Sequence, residues 1–208
     1  EGVVLDADHA AGMEHVFAVD PEIRRLARRH GPFSPTSHYR DDAYDALFEA
    51  IIFQQLSTKA ARTIAGRVHA LSRGDGYARP TALARIPDEK LRAAGLSHQK
   101  ISYVRSLAEH TASGELPFRR FARMGDDEIV DVLTQVRGFG RWSAEMFLMF
   151  HLGRLDVFPI GDLGVRKGLT KVYGVGDGDR TAMERIADRW RPYRSIGSWY
   201  MWRALEVD

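Results

Sequence analysis

Apolar positions recur at helical spacing along most of the chain, most clearly between residues 127 and 150. Apolar residues resume at 146–150 after an interruption at 137–141 that reads Arg-Gly-Phe-Gly-Arg. This pattern predicts two amphipathic helices joined by a Gly-x-Gly hairpin, with Ser143 able to cap the second helix. The first helix has its apolar side chains at i, i+3, i+4 and i+7, which are Ile129, Val132, Leu133 and Val136.

Helical periodicity also extends through the rest of the chain, and we find no convincing alternating pattern of a strand. Asp20 and Ser97 are predicted N-caps, and Gly95 is predicted to end a helix. We therefore predict an all-α fold of about nine or ten helices with short connections. Besides the hairpin pair, the predicted helices lie at 22–30, at 43–71 with an interruption at 54–58, at 88–93, at 98–112 and within 181–205.

The interruption at 54–58 reads Gln-Gln-Leu-Ser-Thr and predicts a tight turn between two helices. Ser57 or Thr58 is suited to cap the second of them. This places Gln55 and Leu56 in the turn. Leu56 then has two interpretations: it is tucked into the core, as is usual for leucine, or it is an exposed wedge of the kind that enters a stack of bases.

Asp162 follows a short apolar passage at 155–160 and precedes another helical pattern. The simplest interpretation is an N-cap, a position that aspartate favours. A carboxylate at a helix N-terminus also stays ionised, so it could stabilise a positively charged transition state. The two roles are compatible.

The last predicted helix is dense in aromatic residues, namely Trp199, Tyr200 and Trp202. At 100° per residue these three side chains cannot all face the same way. Core packing accounts for most such residues, but the spacing leaves at least one of them able to face a cleft.

The composition removes several classes of protein from consideration. With 208 residues, of which 44% are hydrophobic, the chain can bury a core as one domain or two closely packed lobes. It has no cysteine, which excludes disulfides, thiolate metal sites and Cys-ligated iron–sulfur clusters. It also has no long apolar run and no leader pattern, so we expect a soluble intracellular protein without membrane contact. Because the net charge is only +2, a nucleic-acid surface would need a local arrangement of charges.

The hairpin itself has the features of a phosphate-binding site. Gly138 and Gly140 allow positive φ and leave the backbone open to a close approach. Backbone N–H groups at the start of the second helix favour an anion, and Arg137 and Arg141 lie on either side. The alternative is a helical hairpin in which the glycines only form the turn.

Four motifs occur together in this chain, and they are R-G-F-G-R-W-S-A, V-F-P-I-G-D, F-Q-Q-L-S-T-K-A-A and L-R-A-A-G-L-S-H-Q-K. Together they resemble the helix-hairpin-helix DNA glycosylases, and within these the AlkA-type 3-methyladenine DNA glycosylase II group. The resemblance covers about residues 42–205. It implies two helical lobes flanking a DNA-binding cleft. One lobe would be 43–154, with the helix-hairpin-helix at about 128–152, and the other 1–42 plus 155–208.

The resemblance also implies roles for individual residues. Asp162 matches the catalytic aspartate of the family. Because Trp142 stands where some members have a catalytic lysine, no Schiff base can form there, and the resemblance points to a glycosylase without lyase activity. The base pocket would be lined by Trp142, Met146 and Trp202.

For DNA binding, Leu56 matches the family's minor-groove wedge, with Gln55 beside it. The family's hairpin also binds a monovalent cation, Na⁺ or K⁺, which would help to hold a phosphate; no other cofactor is implied. The hairpin residues that would contact DNA are Arg137, Gly138, Phe139, Gly140 and Arg141. The backbone carbonyls that would bind the cation are those of Thr134, Val136 and Phe139.

The implied activity is base excision repair: a monomer that binds damaged double-stranded DNA and hydrolyses the N-glycosidic bond of a flipped-out alkylated base. In a bacterium it would lie in the cytoplasm with the nucleoid. The chain departs from better-known relatives at Met146, which is aromatic in them, at Gly161, where a second acid can occur, and in lacking room for an N-terminal β-rich domain before residue 42. Two alternatives remain, a non-catalytic DNA-binding or lesion-sensing protein and an unrelated all-α protein.

Overall fold

A computed structural model describes residues 7–35, 42–72 and 74–206, and within these ranges the protein consists of helices and connecting turns without a strand. The all-α prediction is therefore confirmed for this part of the chain. None of the described helices is long and apolar enough to cross a membrane. In chain order the α-helices are α1 Ala7–Val19, α2 Pro21–His30, α3 Ala43–Phe53, α4 Thr58–His69, α5 Pro80–Leu83, α6 Asp88–Ala94, α7 His98–Ala112, α8 Asp126–Leu133, α9 Arg141–Phe150, α10 Leu163–Tyr173, α11 Arg180–Asp188 and α12 Arg194–Arg203, with a 3₁₀ helix at Phe118–Arg123.

Several helices begin or end at the residues that the sequence predicts. Asp20 accepts hydrogen bonds from the backbone N–H groups of Glu22 and Ile23 at the start of α2. Ser57 and Ser97 cap α4 and α7 in the same way. Gly95 ends α6 in the left-handed conformation, with φ of 113°. These boundaries depend on neighbours only a few residues away, which explains why a sequence pattern finds them.

The predicted cap at Ser143 is wrong. Helix α9 begins at Arg141, and the first helical hydrogen bond runs from the Ala144 N–H to the Gly140 carbonyl. Ser143 therefore lies within the first turn of the helix. The chain enters the helix directly from Gly140, which leaves no extended residue at position 143 to act as a cap.

The chain divides into two compact units, one formed by Glu1–Thr36 with Leu148–Asp208 and the other by Ser37–Phe147. In the first unit, α12 contacts α10, α2, α1 and α11. The core of this unit is a buried cluster of aliphatic and aromatic side chains that includes Val16, Ile23, Val165, Leu169, Trp190 and Tyr200.

In the second unit, α7 contacts α3, α5 and α6, and α4 contacts α3 and α6. Phe48 and Tyr77 stack face to face in its interior, with ring centroids 4.5 Å apart. The buried carboxylate of Asp45 accepts a hydrogen bond from the Tyr77 N–H and so fixes the loop before α5 to α3.

Asp20 connects three segments of the first unit. Its side chain is 1% exposed, and besides capping α2 it accepts hydrogen bonds from the Tyr173 hydroxyl and the Trp190 indole N–H, both at 2.9 Å. The Arg189 guanidinium lies 3.2 Å from the same carboxylate. Burial and the neighbouring Asp20 charge raise the pKa of Tyr173, so this hydroxyl stays a donor. Asp20 therefore joins α2 to α10 and to the end of α11.

Replacing Asp20 with alanine is expected to lower the free energy of unfolding by about 3 kcal/mol, because it removes a cap and leaves the buried Trp190 N–H and the half-buried Tyr173 hydroxyl without this acceptor. The matched control is Asp179→Ala, which removes the cap of α11 at an exposed position and should cost about 1 kcal/mol. Urea unfolding of both variants measures the difference. Equal losses would contradict a connecting role for Asp20.

Candidate functional site

The hairpin between α8 and α9 has two glycines in different situations. Gly138 has φ of 90°, and a Cβ built on it would lie 2.3 Å from the Tyr103 ring. Gly140 does not have a positive φ and has open space around the position of a Cβ. Gly138 is thus needed to form the turn, whereas Gly140 leaves the backbone at the start of α9 open to a partner.

The hairpin is attached to α7 and to the turn after α3. The Arg137 N–H donates to the Ser106 hydroxyl at 3.1 Å, and the Gln54 side-chain amide donates to the Gly138 carbonyl at 3.0 Å. Phe139 is buried. Because both hydrogen bonds use backbone atoms of the turn, they fix its position independently of its exposed side chains.

The two arginines beside the turn differ in their surroundings. Arg137 is exposed. Arg141 donates to Glu145 at 3.1 Å and to Asp127 at 3.3 Å. Part of the Arg141 charge is therefore already balanced by carboxylates, which the sequence pattern did not indicate.

The turn between α3 and α4 exposes Leu56 instead of burying it. Leu56 is 39% exposed, and the preceding Gln55 has φ of 56°, a left-handed conformation unusual for a residue other than glycine. The Lys100 ammonium donates to the carbonyls of Ile52 and Gln54, at 2.6 Å and 2.7 Å. Burial lowers the pKa of Lys100. The lysine thus holds the end of α3 from which the exposed leucine projects.

The two residues of α9 predicted to face a base lie in different environments. Trp142, in the first turn of the helix, is 49% exposed. Met146, one turn further on, is 8% exposed and belongs to the buried side of the helix. Only the tryptophan offers a large accessible surface.

Asp162 is the N-cap of α10, as its sequence position suggests. Its Oδ1 atom accepts hydrogen bonds from the Val165 N–H at 2.8 Å and from the Trp202 indole N–H at 2.7 Å. The Trp202 ring also lies against Phe150, with ring centroids 5.8 Å apart. Asp162 and Trp202 are both half-buried. The carboxylate is therefore held in one orientation by a backbone donor and a side-chain donor.

The C-terminal aromatics separate as their spacing requires. Trp199 and Tyr200 are buried in the core of the first unit, and Trp202 is the one that reaches Asp162. Within the part of the chain that the structure describes, no group of three or more His, Asp or Glu side chains could hold a metal ion.

Sequence reasoning did not identify Gln54 or Lys100, although both lie within motifs quoted above. Their importance comes from contacts with backbone carbonyls up to 84 residues away in the chain. A single sequence contains no signal for such contacts.

Comparison with known proteins gives a consistent result. Residues 48–192 match the family described as HhH-GPD superfamily base excision DNA repair protein. DNA-3-methyladenine glycosylase 1 of Schizosaccharomyces pombe is 33% identical over 205 residues, which are 93% of this chain and 86% of the relative.

Two solved structures are also similar to this chain. A DNA-3-methyladenine glycosidase from Bacillus halodurans has a TM-score of 0.82 and 36% identity, and the match covers 93% of this chain and 88% of the other. A 3-methyladenine DNA glycosylase from S. pombe, in complex with abasic DNA, has a TM-score of 0.80 and 31% identity, with coverage of 92% and 95%.

The two hairpin glycines provide a direct test of their different roles in the fold. Gly138→Ala is expected to lower the free energy of unfolding by about 1–3 kcal/mol, because the new methyl group meets the Tyr103 ring at a positive φ. Gly140→Ala, with open space and an ordinary φ, should stay within about 0.5 kcal/mol of the wild type. Denaturant unfolding measures both, and a larger loss at Gly140 would contradict the assignment.

Proposed function

Because the chain belongs to the HhH-GPD superfamily of base excision DNA repair proteins and is a DNA glycosylase of the 3-methyladenine type, we propose that it removes alkylated bases from damaged double-stranded DNA. It acts as a monomer and hydrolyses the N-glycosidic bond of a base methylated at a ring nitrogen. The observation that carries this proposal is the Asp162 carboxylate, held at the N-terminus of α10 by the Val165 and Trp202 N–H groups.

In this proposal the hairpin between α8 and α9 binds the phosphate backbone of the DNA. With no side chain at Gly140, a phosphate can approach the N–H groups at the start of α9, where the helix dipole favours an anion. The exposed guanidinium of Arg137 adds a direct charge contact. Arg141 contributes less, because Asp127 and Glu145 already share its charge.

A base inside a duplex cannot be reached by an active-site group, so it must be rotated out of the stack. Leu56, exposed on a turn held by Lys100 and Gln54, is the apolar wedge that fills the gap. The left-handed backbone at Gln55, directly before Leu56, is a conformation that persists only where surrounding contacts fix it, as those of Lys100 and Gln54 do here.

Cleavage of the N-glycosidic bond builds positive charge on the sugar. The Asp162 carboxylate stabilises this charge and orients the attacking water. A base alkylated at a ring nitrogen carries a positive charge, which favours stacking on an electron-rich aromatic face such as that of Trp202 or that of Trp142, and it leaves without a strong general acid. With Trp142 where a lysine would form a Schiff base, the enzyme hydrolyses the bond without cleaving the strand. Met146, being buried, makes at most an edge contact with the base.

The hairpin also offers backbone carbonyl oxygens, which are suitable ligands for a bound Na⁺ or K⁺. Thr134 follows the last residue of α8, at a helix end where backbone carbonyls lack helical partners. The Val136 carbonyl accepts the Phe139 N–H and retains a second lone pair. With the Phe139 carbonyl, these oxygens would hold the cation, whose charge would add to the attraction for a phosphate.

The Asp162→Asn variant tests the catalytic assignment. Asparagine keeps the size of the side chain and caps helices well, so the fold should be retained while the negative charge is lost. Release of methylated bases from alkylated duplex DNA is expected to fall by about 100-fold or more, with DNA affinity little changed. No release by the wild type, or equal release by both proteins, would refute the glycosylase mechanism.

The Leu56→Ala variant tests the wedge. Release of a paired lesion should fall by roughly tenfold, since rotating a base out of the stack costs a few kcal/mol that the leucine helps to offset. The same lesion in single-stranded DNA should be released with a smaller loss. Val19→Ala, at a similarly exposed apolar position of α1, is the matched control and should behave as the wild type. Equal losses on both substrates would argue against a wedge.

A further inference from the structure

We propose that Gly164 is a positioning residue for the reaction: by carrying no Cβ, it lets the Trp202 indole reach Asp162 and fix the carboxylate. The structural part of this inference stands on the geometry of the first unit alone. Its consequence for base release rests on the function proposed above.

The space at Gly164 is occupied by the two groups that it would position. A Cβ built on this glycine would lie 2.7 Å from Trp202 Cδ1, 3.0 Å from Trp202 Nε1 and 3.0 Å from Asp162 Oδ1. Carbon atoms of side chains are almost never found closer than 3.0 Å to such neighbours. The indole N–H donates to the same Oδ1 atom at 2.7 Å, so an added methyl group would lie beside this hydrogen bond.

No feature of the backbone accounts for glycine at this position. Gly164 is the second residue of α10, and its φ is not positive. Glycine costs up to about 1 kcal/mol relative to alanine in a helix, so an unneeded glycine is unfavourable here. The close contact with Trp202 is the physical reason that the structure offers.

Moving α12 away from α10 would relieve the contact only by disrupting the close packing of the two helices. One turn further along, a Cβ at Gly168 would lie 2.3 Å from the Met201 carbonyl oxygen, which shows that the two helix backbones lie close together there as well. Met201 is fully buried. The Trp202 ring also contacts Phe150. A methyl group at position 164 would therefore displace the indole instead of the helix.

Displacing the indole changes what holds Asp162. The Val165 N–H would still cap the carboxylate, but the second donor to Oδ1 would be lost. The carboxylate would then lose one of the groups that orient it. A displacement of about 1 Å at a group that must face a reacting centre lowers rates by about 100-fold.

The chain offers a matched control on the other side of Asp162. Gly161 also has no positive φ, and a Cβ built on it would meet nothing within 4 Å. Gly161→Ala thus makes the same chemical change next to the same carboxylate without touching Trp202.

Two measurements on Gly164→Ala and Gly161→Ala test the proposal. The first needs no substrate: the indole N–H resonance of Trp202, identified among the four tryptophans by its absence in Trp202→Phe, should shift in Gly164→Ala and stay in place in Gly161→Ala. The second is single-turnover base release from alkylated duplex DNA. We expect about a 100-fold fall in the rate for Gly164→Ala with DNA affinity near that of the wild type, and no comparable fall for Gly161→Ala.

The Gly164→Ala/Trp202→Phe double variant shows whether the glycine acts through the tryptophan. Phenylalanine keeps an aromatic ring but lacks the N–H, so Trp202→Phe alone should release bases slowly, and adding Gly164→Ala should cost little more. Trp202→Phe has no clash at position 164, so it remains informative if Gly164→Ala does not fold.

The possible results distinguish a failure of the positioning role from a failure of the proposed function. An unchanged Trp202 resonance in Gly164→Ala, additive losses in the double variant, or wild-type rates in Trp202→Phe would overturn the positioning role. A shifted resonance together with no base release by the wild type would support the geometry and refute the proposed function instead.

Discussion

The hydrogen bonds to Asp162 Oδ1 are the interaction on which the chemistry proposed for the first unit depends. One donor, the Val165 N–H, is an inevitable product of starting α10 at this residue, and it makes Asp162 part of the fold. The other donor, Trp202, comes from α12 and is present only because α10 and α12 lie close together. The Trp202 hydrogen bond thus gives an ordinary N-cap carboxylate a fixed orientation. A fixed orientation is what a group needs in order to stabilise a developing positive charge.

In the second unit, the elements proposed to bind DNA are also held in place by hydrogen bonds with other segments. Two of its exposed elements, the Leu56 turn and the glycine hairpin, are held through backbone atoms: Lys100 and Gln54 donate to backbone carbonyls, and the Ser106 hydroxyl accepts from the Arg137 N–H. The side chains and N–H groups that would meet DNA therefore need not take part in holding the loops in place. A short turn with a left-handed residue persists only when its surroundings fix it in this way.

The sequence predicted what depends on near neighbours and missed what depends on tertiary contacts. The caps at Asp20 and Ser97 could be predicted because the groups that they bind lie two or three residues away. Ser143 was assigned wrongly because several positions can start a helix after a flexible turn, and only the path of the chain selects among them. Asp162 and Trp202 were each identified, but their hydrogen bond joins residues 40 apart and has no local pattern. Gly164 was missed for the same reason.

Exposed apolar side chains give a further link between fold and function. Among the described residues, the large hydrophobic side chains that remain exposed are Val19, Leu56, Trp142 and Leu163. Single exposed apolar residues are ordinary, so none of them is informative alone. Yet Leu56 and Trp142 lie at the positions proposed to fill the base stack and to face the base, and Leu163 directly follows Asp162. Burying such surface against DNA would recover a hydrophobic contribution that the free protein lacks. If DNA covers these side chains as proposed, the local structure that keeps them out of the core would also provide part of the driving force for binding.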